Sequence, residues 1–349
     1  MADWIEIFPA KLPLYVDELD IETLPAGEVS RLAIGLIEDS ASRTVRVPTL
    51  VARGTKPGPV VGLTAALHGN ELNGIPAIHA LFRRIDPKRL RGTVVGVAPA
   101  NVPAFTRHQR RYPDQEDLNR VFPGRADGNE SQIYAHRLLT RVISRFDVLL
   151  DLHTASFGRV NSFYVRADLA NATTAHLARL VGADIIVHNP SKDMTLRGSA
   201  ENLGIPSITV EIGDPQIFDK DLVRLSRIGL RDILETLGMV EPDEEEALGQ
   251  ATECVRSYWL YTDTGGMLTV LPDCAARIAK GQAIARLIDP WGQVIRTYRA
   301  PEDGVVVGKS ANPVARAGSR ILHLGVPGPV SRDRAVPDLD QLSVMPRDE

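Results

Sequence analysis

Five short apolar segments recur between residues 60 and 212, at 60–67, 93–98, 147–152, 184–187 and 207–212. Their length suits strands and is too short for apolar helices, and turn residues bound them. Between some of them lie segments of helical periodicity. One covers residues 75–85, with Ile75, Ile78, Leu81, Phe82 and Ile85 on one face. Alternation of this kind constrains the chain to a layered α/β fold around a largely parallel or mixed sheet. In such sheets ligands bind beyond the carboxyl ends of the strands. Chemistry is therefore expected where the apolar runs stop.

The pattern closes with a periodic segment over 219–238, carrying Leu222, Leu225, Ile228, Ile233, Leu234 and Leu237. Gly238 reads as its stop, and five acids in six positions follow at 241–246. Beyond this run the texture changes to short β segments separated by Gly265-Gly266, Pro272-Asp273, Asp289-Pro290-Trp291-Gly292 and Ala317-Gly318. The expected division is an α/β unit over 1–240 with a β-rich N-terminal segment, an acidic linker over 241–250, a small β domain over 251–330 and a tail over 331–349. With 40 Lys+Arg against 44 Asp+Glu the net charge is −4, so the basic excess of a nucleic-acid binder is missing. A membrane span of about 20 apolar residues is also missing. The acidic Met1-Ala2-Asp3-Trp4 start argues against a signal peptide. Cys254 and Cys274 are too few for a disulfide framework, and free, buried thiols are expected. These features suit a cytoplasmic protein.

The informative residues follow the apolar runs. The run 60–67 leads into His68-Gly69-Asn70-Glu71, the run 147–152 into His153, and the run 207–212 contains Glu211 near its end. A catalytic zinc takes three protein ligands and keeps one open position. His68, Glu71 and His153 supply that set and leave Glu211 as a carboxylate to handle protons. Gly69 would let the backbone approach closely enough for His68 and Glu71 to converge. Asp151 lies two residues before His153 and so faces the same side of a strand. It either orients that imidazole or caps a neighbouring helix. No His-Glu-x-x-His helix is present, which excludes a thermolysin-like site. The remaining histidines, His79, His136, His176, His188 and His323, fall in helical or apolar patterns and are read as structural.

A second cluster, Arg107-His108-Gln109-Arg110-Arg111-Tyr112, precedes Asp117-Leu118-Asn119-Arg120. Arginine grips carboxylates through a planar pair of donors, so this loop suits an anionic substrate. A surface salt-bridge network is the competing reading.

Taken in order, His68-Gly69-Asn70-Glu71, Asp117-Leu118-Asn119-Arg120, Asp151-Leu152-His153 and Val210-Glu211-Ile212-Gly213 resemble the succinylglutamate desuccinylase/aspartoacylase family, relatives of the zinc carboxypeptidases. The resemblance covers residues 49–238 and implies a carboxypeptidase-like mixed sheet flanked by helices. It implies one zinc per chain on His68, Glu71 and His153, with Glu211 as general base and then acid. It further implies that Asn119 and Arg120 hold the substrate's carboxylate, joined by Arg197, and that Arg111 polarises the scissile carbonyl. The spacing from Arg111 to Arg120 is one residue longer than in aspartoacylase, which leaves Arg107 or Arg110 as substitutes. The C-terminal part resembles a biotinyl/lipoyl-like barrel sandwich. Neither Lys280 nor Lys309 stands where a carrier lysine would, so a structural or gating lid is expected.

The expected reaction is hydrolysis of a small N-acetyl or N-succinyl amino acid to a carboxylate and an amine. A metallocarboxypeptidase acting on short peptides and a non-catalytic metal- or ligand-binding relative are the rival readings. The partner is a small molecule rather than nucleic acid or membrane, and a homo-oligomer stays open.

Overall fold

The computed structural model describes residues 12–190, 194–242 and 249–330. The acidic run falls partly, and the C-terminal tail over 331–349 wholly, outside the described residues. The chain runs β1 (Leu14–Val16), β2 (Glu28–Glu38), β3 (Thr44–Arg53), β4 (Lys56–Ala65), α1 (Gly74–Phe82), β5 (Arg91–Val97), α2 (Val102–Thr106), α3 (Glu130–Arg141), β6 (Val148–His153) and β7 (Arg159–Asn161). It continues with β8 (Phe163–Ala167), α4 (Ala172–Leu180), β9 (Ile185–His188), α5 (Leu196–Asn202), β10 (Ser207–Ile212) and α6 (Lys220–Thr236). The C-terminal strands are β11 (Thr252–Tyr261), β12 (Gly266–Val270), β13 (Arg277–Ile278), β14 (Ala283–Ile288), β15 (Val294–Arg299), β16 (Gly304–Ser310), β17 (Val314–Ala315) and β18 (Arg320–Pro327).

At the centre β5, β4, β6 and β10 lie side by side and parallel. Their alternation sorts residues between two apolar layers. Val61, Leu63 and Ala65 of β4, Val148, Leu150 and Leu152 of β6, and Ile208, Val210 and Ile212 of β10 pack with Ile78, Leu81, Phe82, Leu177, Leu230 and Ile233 from α1, α4 and α6. Leu149 of β6 faces the other way, towards Tyr134, Leu138 and Leu139 of α3. Asp151, His153 and Glu211 have the same parity as Leu149. The same alternation that buries one face therefore delivers the polar residues to the other, at the carboxyl ends of β6 and β10.

Local signals explain the helix ends. Asn129 and Gln132 form a capping box at α3. Asp219 caps α6, and Gly238, at φ +65°, closes that helix with its N–H on Glu235 and that of Met239 on Leu234. This pair of bonds satisfies carbonyls that the helix leaves orphaned.

Beyond α6, β11 pairs parallel to β9 and antiparallel to β18, so the large sheet runs unbroken into the C-terminal strands. A second sheet, ordered β15-β14-β12-β17, packs Leu268, Ile284 and Leu287 against Val306, Leu322 and Leu324. The architecture is the expected α/β core flanked by helices, with a C-terminal β sandwich. β7, shortly after His153, pairs with β16 and ties the loop beyond the third strand end to this sandwich. No described helix is long and apolar enough to cross a membrane. Both cysteines are free; Cys254 is buried and Cys274 partly so.

Candidate metal centre and active site

His68 and Glu71 lie on the loop from β4 to α1, and His153 ends β6. The loop makes its turn against α2: a Cβ on Gly69 would stand 2.1 Å from the carbonyl carbon of Ala104, so only glycine fits. Asn73, fully buried, donates to the Ile212 carbonyl at 2.9 Å and accepts from the Asp219 N–H at 3.0 Å. This side chain fastens the first loop to the end of β10, where Glu211 stands. Across the β6–β10 ladder Glu211 is the direct partner of His153.

One ligand atom from each of His68, Glu71 and His153 lies within 4.8 Å of the other two, and all three side chains are buried. His153 Nδ1 is 2.8 Å from Glu71 Oε2, and His68 Nδ1 is 3.0 Å from Glu71 Oε1 without the alignment of a hydrogen bond. Both Nε2 atoms are engaged: His153 with Asp151 Oδ2 at 2.8 Å and His68 with Asp117 Oδ1 at 2.9 Å. With Nε2–H donating to a carboxylate, each imidazole turns its Nδ1 lone pair to the centre of the cluster. Asp151 also accepts from the Thr64 hydroxyl at 2.6 Å. Of the two roles open to Asp151 from the sequence, orientation of the imidazole is the one observed.

Burial alone would push Glu71 up, yet His68 and His153 hold it well below the usual carboxylate range. Burial would push His153 down, yet Asp151 and then Glu71 raise it well above an ordinary imidazole. Asp151 and Glu71 thus draw positive charge onto the His153 imidazole. A buried Nδ1 with no hydrogen bond, a second Nδ1 beside it and a carboxylate form an N/O donor set suited to a divalent ion.

The cluster opens on a cavity of about 620 Å³ that also receives Arg111, Asn119, Arg120, Arg197 and Glu211. The three candidate metal ligands, the candidate base Glu211 and the four candidate substrate residues Arg111, Asn119, Arg120 and Arg197 all line this one space. Glu211 accepts from Asn161 Nδ2 at 3.2 Å and lies 3.5 Å from Arg166. Asn119 Oδ1 accepts from the Leu196 N–H at 2.8 Å and so holds the start of α5, which carries Arg197. Arg197 is buried and donates to Asn189 at 2.8 Å. Arg120 donates to the Asn119 carbonyl, and Arg111 to that of Gln115 at 2.7 Å. Arg110 reaches deeper, donating to Glu71 Oε1 at 2.7 Å, to Asp117 and to Ser156, which itself donates to Glu71. A larger cleft, of about 880 Å³, lies at the amino ends of β4 and β6 around Val60 and Asp147, away from these groups.

Residues 57–237 match the model of the succinylglutamate desuccinylase/aspartoacylase catalytic domain, more than half of the chain. The chain belongs to this family. It is 27% identical over 290 residues to the N-alpha-acetyl-L-2,4-diaminobutyric acid deacetylase of Halomonas elongata, covering 78% of this chain and 83% of that one. It is 30% identical over 184 residues to a succinylglutamate desuccinylase of Pseudomonas paraeruginosa, covering 48% and 55% respectively. Two solved structures share the fold. The product-bound ectoine utilization protein EutE of Ruegeria pomeroyi has a TM-score of 0.78 at 23% identity, over 87% of this chain and 98% of that one. A succinylglutamate desuccinylase/aspartoacylase of Rhodobacter sphaeroides has a TM-score of 0.79 at 23% identity, over 89% and 99%. The relatives named deacetylase and desuccinylase are amidohydrolases, the enzyme class expected from the sequence.

Several groups in this family member's site carry no clear mark in its sequence. Asp117, within the Asp-Leu-Asn-Arg motif, gains its role only from His68 beside it. Its carboxyl is desolvated, yet His68 and Arg110 hold it below the usual range. Tyr164 and Arg166 reach the cavity from β8, Arg159 from β7, and Trp259 and Arg320 from the C-terminal strands. The only sequence signal for the β8 pair is its two-residue spacing, which places both on one face.

Proposed function

We propose that this chain hydrolyses the amide bond of a small N-acyl amino acid, with one zinc ion held by His68, Glu71 and His153. The observation that carries the reading is the pairing of Glu211 with His153 across neighbouring parallel strands. It sets a carboxylate beside the N/O donor set in a cavity walled by arginines. When bound there, zinc would polarise the scissile carbonyl and lower the pKa of a water towards about 7.

The protein's own groups account for the remainder. Glu211 takes a proton from the attacking water and passes it to the departing amine, so one C–N bond breaks and one C–O bond forms. Asn161 and Arg166 hold the Glu211 carboxylate on its two oxygens. Asn119, Arg120 and Arg197 grip the carboxylate of the amino-acid part and fix its direction. Arg111, held among the described residues by the Gln115 carbonyl, steadies the negative charge developing on the carbonyl oxygen. Arg110 is already bound to Glu71 and Asp117, and so positions the ligand cluster. The reaction suits a cytoplasmic enzyme of amino-acid metabolism.

Amine release from a panel of N-acetyl and N-succinyl amino acids and short peptides, before and after chelation, tests the reading. Chelator-sensitive release from N-acyl amino acids is expected. Release from peptides alone would replace it with a carboxypeptidase, and silence with zinc bound would overturn it.

A further inference from the structure

Glu211 accepts from Asn161 Nδ2 on one oxygen and lies 3.5 Å from Arg166 Nε on the other. Both of these groups rest on the C-terminal strands. Among the described strands β7, which ends at Asn161, pairs only with β16, and Asn161 stands directly across from Gly308. Gly308 is in turn the cross-strand partner of His323 on β18. His323 meets the Tyr164 ring edge-on, at 6.3 Å and 77°. The Tyr164 hydroxyl accepts from Arg166 Nη2 at 2.6 Å and from its Nε at 3.1 Å.

β16 departs from a regular strand at this point. Its register against β18 shifts between Val306 and Gly308, the mark of a bulge. The Val307 carbonyl accepts from Ser162 twice, from its N–H at 3.0 Å and from its hydroxyl at 2.9 Å, which fastens the end of β7. Gly308 is buried in the strand, where glycine weakens pairing and marks a close approach. It does not have a positive φ, so the backbone does not require glycine. Space does. A Cβ there would stand 2.4 Å from Asn161 Oδ1 and 3.0 Å from the Val160 carbonyl oxygen. The Asn161 amide oxygen thus occupies the room a side chain would need, and Nδ2 is left facing Glu211.

We infer that Asn161 and Gly308 are positioning residues for the proton carrier: the C-terminal strands, through the space at Gly308, seat the amide that fixes the direction of the Glu211 carboxylate. A carboxylate that takes a proton from water and returns it to an amine must stay aimed throughout, and a displacement of about 1 Å can cost about 100-fold in rate. The inference rests on the deacylase reading above. It adds a part in the chemistry for strands that hold none of the candidate metal ligands.

The test uses the zinc-loaded full chain and the N-acetyl or N-succinyl amino acid that the wild type turns over fastest. Asn161→Ala should lower kcat about 10- to 100-fold, the worth of a hydrogen bond to a charged group, with KM and zinc content unchanged. Asn161→Asp keeps the shape but sets a like charge against Glu211, so its kcat should fall at least as far. Gly308→Ala should lower kcat about tenfold by displacing the amide. In the Asn161→Ala chain, where no amide remains to displace, it should add less than about twofold. A crystal structure of metal-free Gly308→Ala should show the Asn161 amide away from Glu211 while β7 still pairs with β16. Asn161→Ala only trims a side chain, so it decides the matter even where Gly308→Ala does not fold. A fully active Asn161→Ala or Asn161→Asp, a loss confined to KM, full additivity of the two substitutions, or an unmoved amide overturns the inference and leaves the deacylase standing. A zinc-loaded wild type silent on N-acyl amino acids overturns the deacylase reading and the inference together.

Discussion

Replacing Asp151 by Asn isolates one charge behind the metal ligands. The side chain is fully buried and accepts from His153 Nε2 at 2.8 Å and from Thr64 Oγ1 at 2.6 Å. Asparagine has nearly the same shape: its oxygen can keep the imidazole, and its amide can turn to the hydroxyl. No cavity opens, so the change removes the charge that makes His153 a stronger donor and fixes its Nδ1 towards Glu71. Losing a carboxylate behind a ligating histidine costs about 10–100-fold in metal affinity, or about 1.4–2.7 kcal/mol. Asp117→Asn should fall at the low end, because Asp117 is partly exposed and shared between His68 and Arg110. Competition with a chromophoric zinc chelator measures the affinity. Unfolding with and without zinc measures the same loss as a smaller metal-dependent stabilisation. If Asp151→Asn binds zinc within threefold of the wild type, Asp151 does not tune the ligand. If the metal-free protein is destabilised as much as the zinc-loaded one, the role is structural.

Glu211→Gln should retain one zinc per chain and lose activity by several orders of magnitude; a nearly active variant would remove Glu211 as the proton carrier. Arg111→Gln should lower kcat about 10²–10³-fold with zinc content unchanged. Arg110→Gln should reduce zinc content as well, because it frees Glu71 and Asp117; the reverse pattern, measured by metal analysis and kinetics, would exchange the two roles. Burial, with Arg166, Arg159 and Arg320 adding, pushes the His323 imidazole down to about 3. Above pH 6.5 this residue is neutral in both the folded and unfolded chain. Below that, the unfolded chain takes a proton that the folded one refuses, so stability falls towards pH 3 by up to about 1.4 kcal/mol per pH unit. His323→Gln should flatten the pH dependence of urea unfolding between pH 6.5 and 5 by that one proton; an unchanged slope would refute the assignment.

Residues that lie close in sequence, or at ends of periodic runs, are legible in the chain itself. His68, Glu71, His153 and Glu211 each follow from an apolar strand and the rule that parallel sheets open at their carboxyl ends. Asp151 is legible as a neighbour of His153, but its sequence position leaves it between two roles. Only the approach of its oxygen to Nε2 chooses one, since a carboxylate on a strand end can serve either. Asn73 is not legible at all, because nothing local marks a buried amide that joins two loops 139 residues apart. The arginine loop offers four candidates of equal chemistry. Composition does not tell that Arg110 turns inward to Glu71 while Arg111 stays at the cavity wall.

The amino-acid sequence alone determined the α/β core, the change to β structure after the acidic run, and the donor set of the candidate metal centre. These follow from period-two and helical patterning and from donor chemistry, both local properties of a chain. Tertiary structure alone decided which carboxylate backs each imidazole and that Trp259 and Arg320, more than 100 residues beyond His153, wall the same site. Those contacts arise because β11 joins the edge of the core sheet at β9 and β7 pairs with β16. Strand pairings over such separations are chosen by how the whole sheet closes, and the segments that form them carry no local mark of their partners.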